Sequence, residues 1–132
     1  MRYKVLFIVT ISLLAIIVIS TVFYCFIQVA PTDQVFNYAK SVMNGEIQPE
    51  KSDPLYRYSI EARGSDAVSS KCTIWRKWVW HDAVFGYIHV KYSQRFYDET
   101  GEATAWSLSI DAIWVIYKIQ DEWVVVDVIE HP

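Results

Sequence analysis

The sequence has little cysteine, glycine or histidine, and positive charge is short beyond its first four residues. Two cysteines in 132 residues exclude a fold stapled by several disulfides. Cys25 lies within an apolar run and Cys72 far outside it, so the two are not expected to pair. Cys72 reads either as a buried apolar filler or as a free thiol. For an outward-facing domain, the lack of disulfides points to a bacterial surface rather than a eukaryotic secretory product. His81, His89 and His131 lack metal-ligand spacing, and the few glycines form no phosphate-cradling loop; neither metal nor cofactor is expected. From Pro31 onward ten basic residues stand against fifteen acidic ones, a net of −5. That excludes the basic footprint of a nucleic-acid binder and argues against adhesion to anionic headgroups.

What the chain does have is one long greasy stretch. Between Val5 and Ile27 there is no charge, no proline and no glycine. At about 1.5 Å per residue, these residues cross the roughly 30 Å hydrocarbon core of a bilayer with some tilt. A lone span can only be a helix, because lipid offers backbone groups no hydrogen-bond partners. A buried core helix would need covering on every side, which the remainder is too small to provide. The stretch is also longer than the roughly 7–15 residues of a signal-peptide core, so an uncleaved anchor is expected. Arg2 and Lys4 precede it, and basic flanks stay on the cytoplasmic side. Residues 1–30 are therefore expected to be a cytoplasmic stub and transmembrane anchor in the cell membrane. Residues 31–132 then form an extracytoplasmic domain almost against the headgroups.

Within that domain the pattern predicts one amphipathic helix and then strands. Thr32 is placed to cap a helix with Asp33 in its first turn. Val35, Phe36, Ala39, Val42 and Met43 form one apolar stripe, and Asn44-Gly45 ends it. Residues 46–70 read either as a short second helix opened by Asp53-Pro54 or as a strand alternating through Tyr56, Tyr58, Ile60 and Ala62. Residues 71–80, 84–97, 103–119 and 123–130 are rich in β-branched and aromatic residues and separated by turn residues, which predicts four strands. In the second, Val84, Ile88, Val90, Tyr92 and Phe96 occupy one face, and His89, Lys91, Ser93 and Arg95 the other. Trp106, Leu108 and Ile110 continue the alternation in the third. After Ala112 both faces turn apolar, so that end is expected to be covered on both sides or bent by a bulge. The fold class is α+β, with a helix stripe buried on a four-stranded meander.

The helix pattern Tyr38-Ala39-Lys40-Ser41-Val42-Met43-Asn44-Gly45-Glu46, with the closing segment Ile116-Tyr117-Lys118-Ile119-Gln120-Asp121-Glu122-Trp123-Val124-Val125-Val126-Asp127, resembles the nuclear-transport-factor-two-like, or cystatin-like, superfamily. Within it the chain is similar to small bacterial single-anchor surface proteins of unknown function. The resemblance implies a curved, cone-like sheet that wraps its helical half and often holds a pocket. Here the helical half is short. Enzymes of that fold use an Asp or His base with a Tyr or second acid. This makes His89 and Asp111 catalytic candidates, with Tyr87 and Tyr117 as donors, for a small-molecule isomerase, dehydratase or hydrolase. Similar anchored cone domains also serve in type IV secretion and conjugation machines.

The other candidate surface is aromatic. Trp75, Trp78 and Trp80 stand beside Arg76 and Lys77, with tryptophan on both parities of the strand. Either one set fills the core and the other lies under a loop, or an exposed aromatic-basic patch awaits a partner, since Trp, Tyr and Arg dominate binding hot spots. Trp and Tyr near a bilayer also rest in its interface. The leading expectation is a binding or assembly domain that engages the bilayer through Val5 to Ile27 and another envelope protein or a small apolar ligand through its folded part.

Overall fold

The computed structural model describes residues 2–64 and 66–131. Its architecture is α+β: a long N-terminal helix followed by an open antiparallel sheet with strand order β1-β2-β3-β4. The apolar run and the amphipathic stripe belong to one continuous helix of 42 residues, Arg2–Met43, long and apolar enough to cross a membrane. Its first part, α1 (Arg2–Tyr24), buries none of its described residues. A proline inside a helix removes one hydrogen bond and crowds the carbonyl four residues back. The chain absorbs Pro31 by widening to a π turn at Cys25–Val29 and tightening to a 3₁₀ turn at Ala30–Thr32. Thr32 therefore does not cap a new helix. Its buried hydroxyl donates back to the Val29 carbonyl at 2.8 Å, and α2 (Asp33–Met43) continues without a break.

The helix lines the outer edge of β1 (Ser69–His81). The Tyr24 hydroxyl donates to the Val79 carbonyl at 2.9 Å and accepts from the Val79 N–H at 2.7 Å. One helical turn on, the Gln28 amide donates to the His81 carbonyl at 3.3 Å and accepts its N–H at 2.8 Å. At the other end Asn44 Oδ1 accepts the Cys72 N–H at 2.9 Å. An edge strand leaves such groups unpaired, a standing invitation to aggregate, and here helix side chains take the place of a fifth strand.

The helix ends because Gly45 adopts φ +74 and the Glu46 N–H bonds back to the Ser41 carbonyl at 2.9 Å, closing the last turn. The stretch before β1 is neither a second α-helix nor a strand. It holds two 3₁₀ turns, Pro54–Tyr58 and Glu61–Arg63, the first capped by Asp53 Oδ1 accepting from the Leu55 N–H at 2.8 Å.

β2 (Phe85–Tyr97), β3 (Ala103–Ile119) and β4 (Glu122–His131) complete the sheet. Its inner face is packed with Ile88, Val90, Tyr92, Phe96, Trp114 and Ile116 against Val35, Ala39, Val42 and Met43 of α2 and Leu55 and Tyr58 of the 3₁₀ turn. Tyr58 sits edge-on to Tyr92 at 5.3 Å and accepts from Trp114 Nε1 at 3.4 Å; burial pushes both tyrosine pKa values up. The sheet curls so far that His81 of one edge strand and Trp123 of the other meet with ring centroids 4.7 Å apart.

Alternation fails as a guide at the bulges. Val84, placed in the apolar face by pattern, lies outside β2 and is exposed, whereas Gln94 occupies the inner face and is fully buried. In β3 the register slips opposite Tyr92 and Gln94, where Ser109 takes φ 54. Trp106 and Leu108 then face out and Ile110 in. A further slip between Val115 and Ile116 bends the doubly apolar end of β3, and Ile113 and Val115 on its outer side are only half-buried.

Gln94 Nε2 donates its two hydrogens to the carbonyls of Met43 and Tyr58, both at 2.8 Å, and lies 3.1 Å from Ser70 Oγ, whose hydroxyl donates to the Met43 carbonyl. One side chain thus ties helix end, 3₁₀ turn and sheet together. Gln94→Leu should cost about 1–3 kcal/mol for each buried carbonyl it strands, measured by chemical denaturation of the detergent-solubilised protein.

Candidate functional site

The site is the outer face of the sheet, and a single bulge creates it. β1 pairs Arg76 with Val90 and Trp78 with His89, leaving Lys77 as the extra residue. Before the bulge the even positions point inward; after it the odd ones do, with Val79 buried. Trp75, Trp78 and Trp80 consequently all lie on the outer face, 44 %, 42 % and 48 % exposed. None enters the core, so the expectation that one set fills the interior is corrected. Across the strands Trp80 stacks on Tyr87 at 6.2 Å, Phe85 lies 4.8 Å from Tyr87 and 5.1 Å from Tyr117, and Trp78 meets the His89 ring edge-on at 5.5 Å. Such pairs add about 0.5–1.5 kcal/mol beyond area burial, which holds these rings in a fixed array although half their surface is open.

A charged cluster sits in the middle of this face. His89 and Asp111, the sequence's catalytic candidates, do meet: His89 Nε2 lies 3.1 Å from Asp111 Oδ1. Lys77 Nζ reaches the same oxygen at 3.0 Å, and Lys91 Nζ stands 3.9 Å from Oδ2. The hydrogen bond from Lys77 holds the Asp111 carboxyl below the usual carboxylate range, with Lys91 and His89 adding to it. A carboxylate held this firmly in its charged form is a poor proton acceptor, and its side chain is 34 % exposed on the convex surface. The pair has a partner network and lies on the open outer face of the sheet. Tyr87 and Tyr117, proposed donors, belong to the aromatic array instead.

Arg76 stands apart from the tryptophans. It points to the inner face, where Nη1 reaches the Val29 carbonyl at 3.3 Å and Thr32 Oγ1 at 3.2 Å, and Nη2 pairs with Asp33 at 2.6 Å. Its guanidinium lies 4.5 Å over the Phe36 ring. This is a clamp on the proline-disturbed stretch of helix, not part of the patch. Lys77 supplies the outward positive charge in its place.

The concave side offers one cleft of about 330 Å³ between α2, the segment around Asp53 and β4, lined by Gln34, Tyr38, Asp53, Leu55, Glu122 and Trp123 among others. The Tyr38 hydroxyl donates to Asp53 Oδ2 at 2.9 Å, and burial together with that carboxylate pushes its pKa up to about 12. Both Asp53 oxygens are engaged, one by Tyr38 and one by the 3₁₀ turn. Among the described residues no group of three or more His, Cys, Asp or Glu side chains is placed to hold a metal ion. Cys72 is half-buried, and burial raises its thiol pKa to about 11.

Pattern reading missed Tyr24, Gln28 and Gln94, and named Lys77 only as a basic neighbour of the tryptophans. The signal for the first two was present, since polar-tipped residues four apart at the end of an apolar run share one helix face. The bulge at Lys77 and the inward turn of Gln94 depend on cross-strand register and left no local trace.

Two consequences are measurable. Arg76→Lys keeps the charge but loses the fork, and should cost about 1–3 kcal/mol in denaturation of the solubilised protein. Asp111→Asn should lower the melting temperature at neutral pH. Because the folded carboxyl titrates below its unfolded value, its stabilisation is intact at neutrality and fades as pH falls through the folded pKa. The melting curves of wild type and variant should therefore converge in strong acid.

Compared with known proteins, the chain matches no family model, no curated protein and no solved structure, so the site is read from its own geometry.

Proposed function

We propose that the chain is a single-pass membrane protein, its N-terminus cytoplasmic and its folded domain outside the cell membrane, that works by binding or assembly rather than catalysis. The observation that carries this reading is the gathering of Trp75, Trp78 and Trp80 on one open sheet face, flanked by Lys77 and Lys91. Rigid aromatic side chains beside cations are what binding hot spots are made of, and this face is joined to an apolar helix without a flexible linker. The partner is another envelope protein or a small apolar ligand. Orientation follows from Arg2 and Lys4 before the apolar run. A helix packed into a strongly curled four-stranded meander also supports placing the domain in the nuclear-transport-factor-two-like superfamily, in its bacterial single-anchor branch.

The alternative of a small-molecule isomerase, dehydratase or hydrolase draws no support from the candidate pair. His89 and Asp111 lie on the convex face, away from the concave cleft lined by Tyr38 and Asp53, where both Asp53 oxygens are already bonded.

Thiol labelling in intact bacterial cells tests the reading. Thr100→Cys, at the exposed β2–β3 turn, should react with a membrane-impermeant maleimide, while Cys72 reacts slowly because its thiol pKa is about 11. A photo-crosslinking residue in place of Trp75 should then give one discrete adduct, and one in place of Lys51 none. Labelling only after lysis would overturn the orientation, and adducts independent of position would overturn the binding face.

A further inference from the structure

We propose that the Trp78–Trp80 end of the outer face rests in the headgroup region of the same bilayer, so that an aromatic belt as well as the helix holds the sheet to the membrane. This deepens the anchored reading above and rests on it. The argument is one of depth. From Val5 to Tyr24 there are twenty residues, about 30 Å of helix, which matches the roughly 30 Å hydrocarbon core. Tyr24 therefore marks the outer boundary of the core. A helical tyrosine leans back toward the helix N-terminus, so its hydroxyl lies no farther from the bilayer centre than its own Cα. That hydroxyl holds the Val79 peptide from both sides, at 2.7 and 2.9 Å. Val79 is thus fixed at the membrane boundary, and Trp78 and Trp80 are its two chain neighbours.

Gln28, one turn farther on, holds His81. Two attachment points set the direction of the strand as well as its depth, so this stretch cannot swing away from the lipid. Tryptophan is enriched at this level because its ring is apolar and its indole N–H needs a partner, which headgroups and water supply. Tyr87, stacked on Trp80, suits the same depth. Lys91 on this face can extend its ammonium group to lipid phosphates while its stem lies along the rings. The chain's net negative charge does not oppose this, since Lys77 and Lys91 on this part of the face outnumber Asp111, the carboxylate between them. Trp106 shares the outer face but pairs with Arg95, itself opposite Lys71, near the end of β1 that Asn44 holds. Asn44 is twenty residues beyond Tyr24, so Trp106 stands well clear of the bilayer and serves as an internal control.

The test uses the full-length protein in phosphatidylcholine vesicles with brominated acyl chains, which quench nearby tryptophan fluorescence. Wild type should be quenched, Trp78→Phe/Trp80→Phe should lose most of that quenching, and Trp106→Phe should lose none. Equal quenching in wild type and the double variant, or loss only with Trp106→Phe, would overturn the belt. So would an unquenched wild type, and a disulfide between two copies of the Trp78→Cys variant would then assign the face to a second copy. Flotation of the vesicles separates the two levels of inference. Protein that floats without being quenched refutes the belt alone, and protein that does not float refutes the anchor. Matched melting curves establish that the variants fold.

Discussion

The edge of β1 would expose unpaired peptide groups at Cys72, Val79 and His81 if no side chain from the helix and its cap met them. Each such group, buried without a partner, costs about 1–3 kcal/mol, and left open it templates strand pairing with another chain. Here Asn44, Tyr24 and Gln28 satisfy them in turn. The rest of the arrangement depends on this substitution. It requires the helix to persist through Pro31, it places α2 under the concave face, and it makes anchor and domain one body. Arg76 completes the joint by binding the Val29 carbonyl and Thr32 hydroxyl just where proline disturbs the ladder.

The bulges do the remaining work. An extra residue in one strand reverses the alternation beyond it, and the slips at Lys77, opposite Tyr92 and Gln94, and beyond Val115 each move side chains from one face to the other. Their combined effect is a sheet curled enough for its two edge strands to touch through His81 and Trp123. The concave side is then spent on packing, with Trp114, Tyr58 and Phe96 fully buried. Large rings not needed there are displayed on the convex side. The aromatic outer face stays open, and it is joined to a helix long and apolar enough to cross a membrane.

Much of this was legible in the residues. A run from Val5 to Ile27 without charge, proline or glycine has one stable form in lipid, because only a helix satisfies its own backbone there. The α2 stripe and the four strands follow from periods of 3.6 and two, and β3 was placed at its observed ends. The polarity of His89 and Asp111 was also readable, and so was their position in mid-strand. What local pattern could not decide was register. Whether Trp78 joins Trp75 or opposes it turns on Lys77 being the unpaired residue, and that choice is made by hydrogen bonds to β2, some fifteen positions away along the chain. The same holds for Arg76, whose inward direction reflects the Val29 carbonyl and the buried Thr32 hydroxyl of a helix more than forty residues earlier, and for Gln94, a polar residue in an apolar face that only makes sense beside the Met43 and Tyr58 carbonyls. Composition and periodicity set the elements and their membrane affinity, since both act within a few residues. Which faces stay open was settled only when strands and helix met, because each bulge is fixed by pairing with a neighbouring strand and not by local sequence.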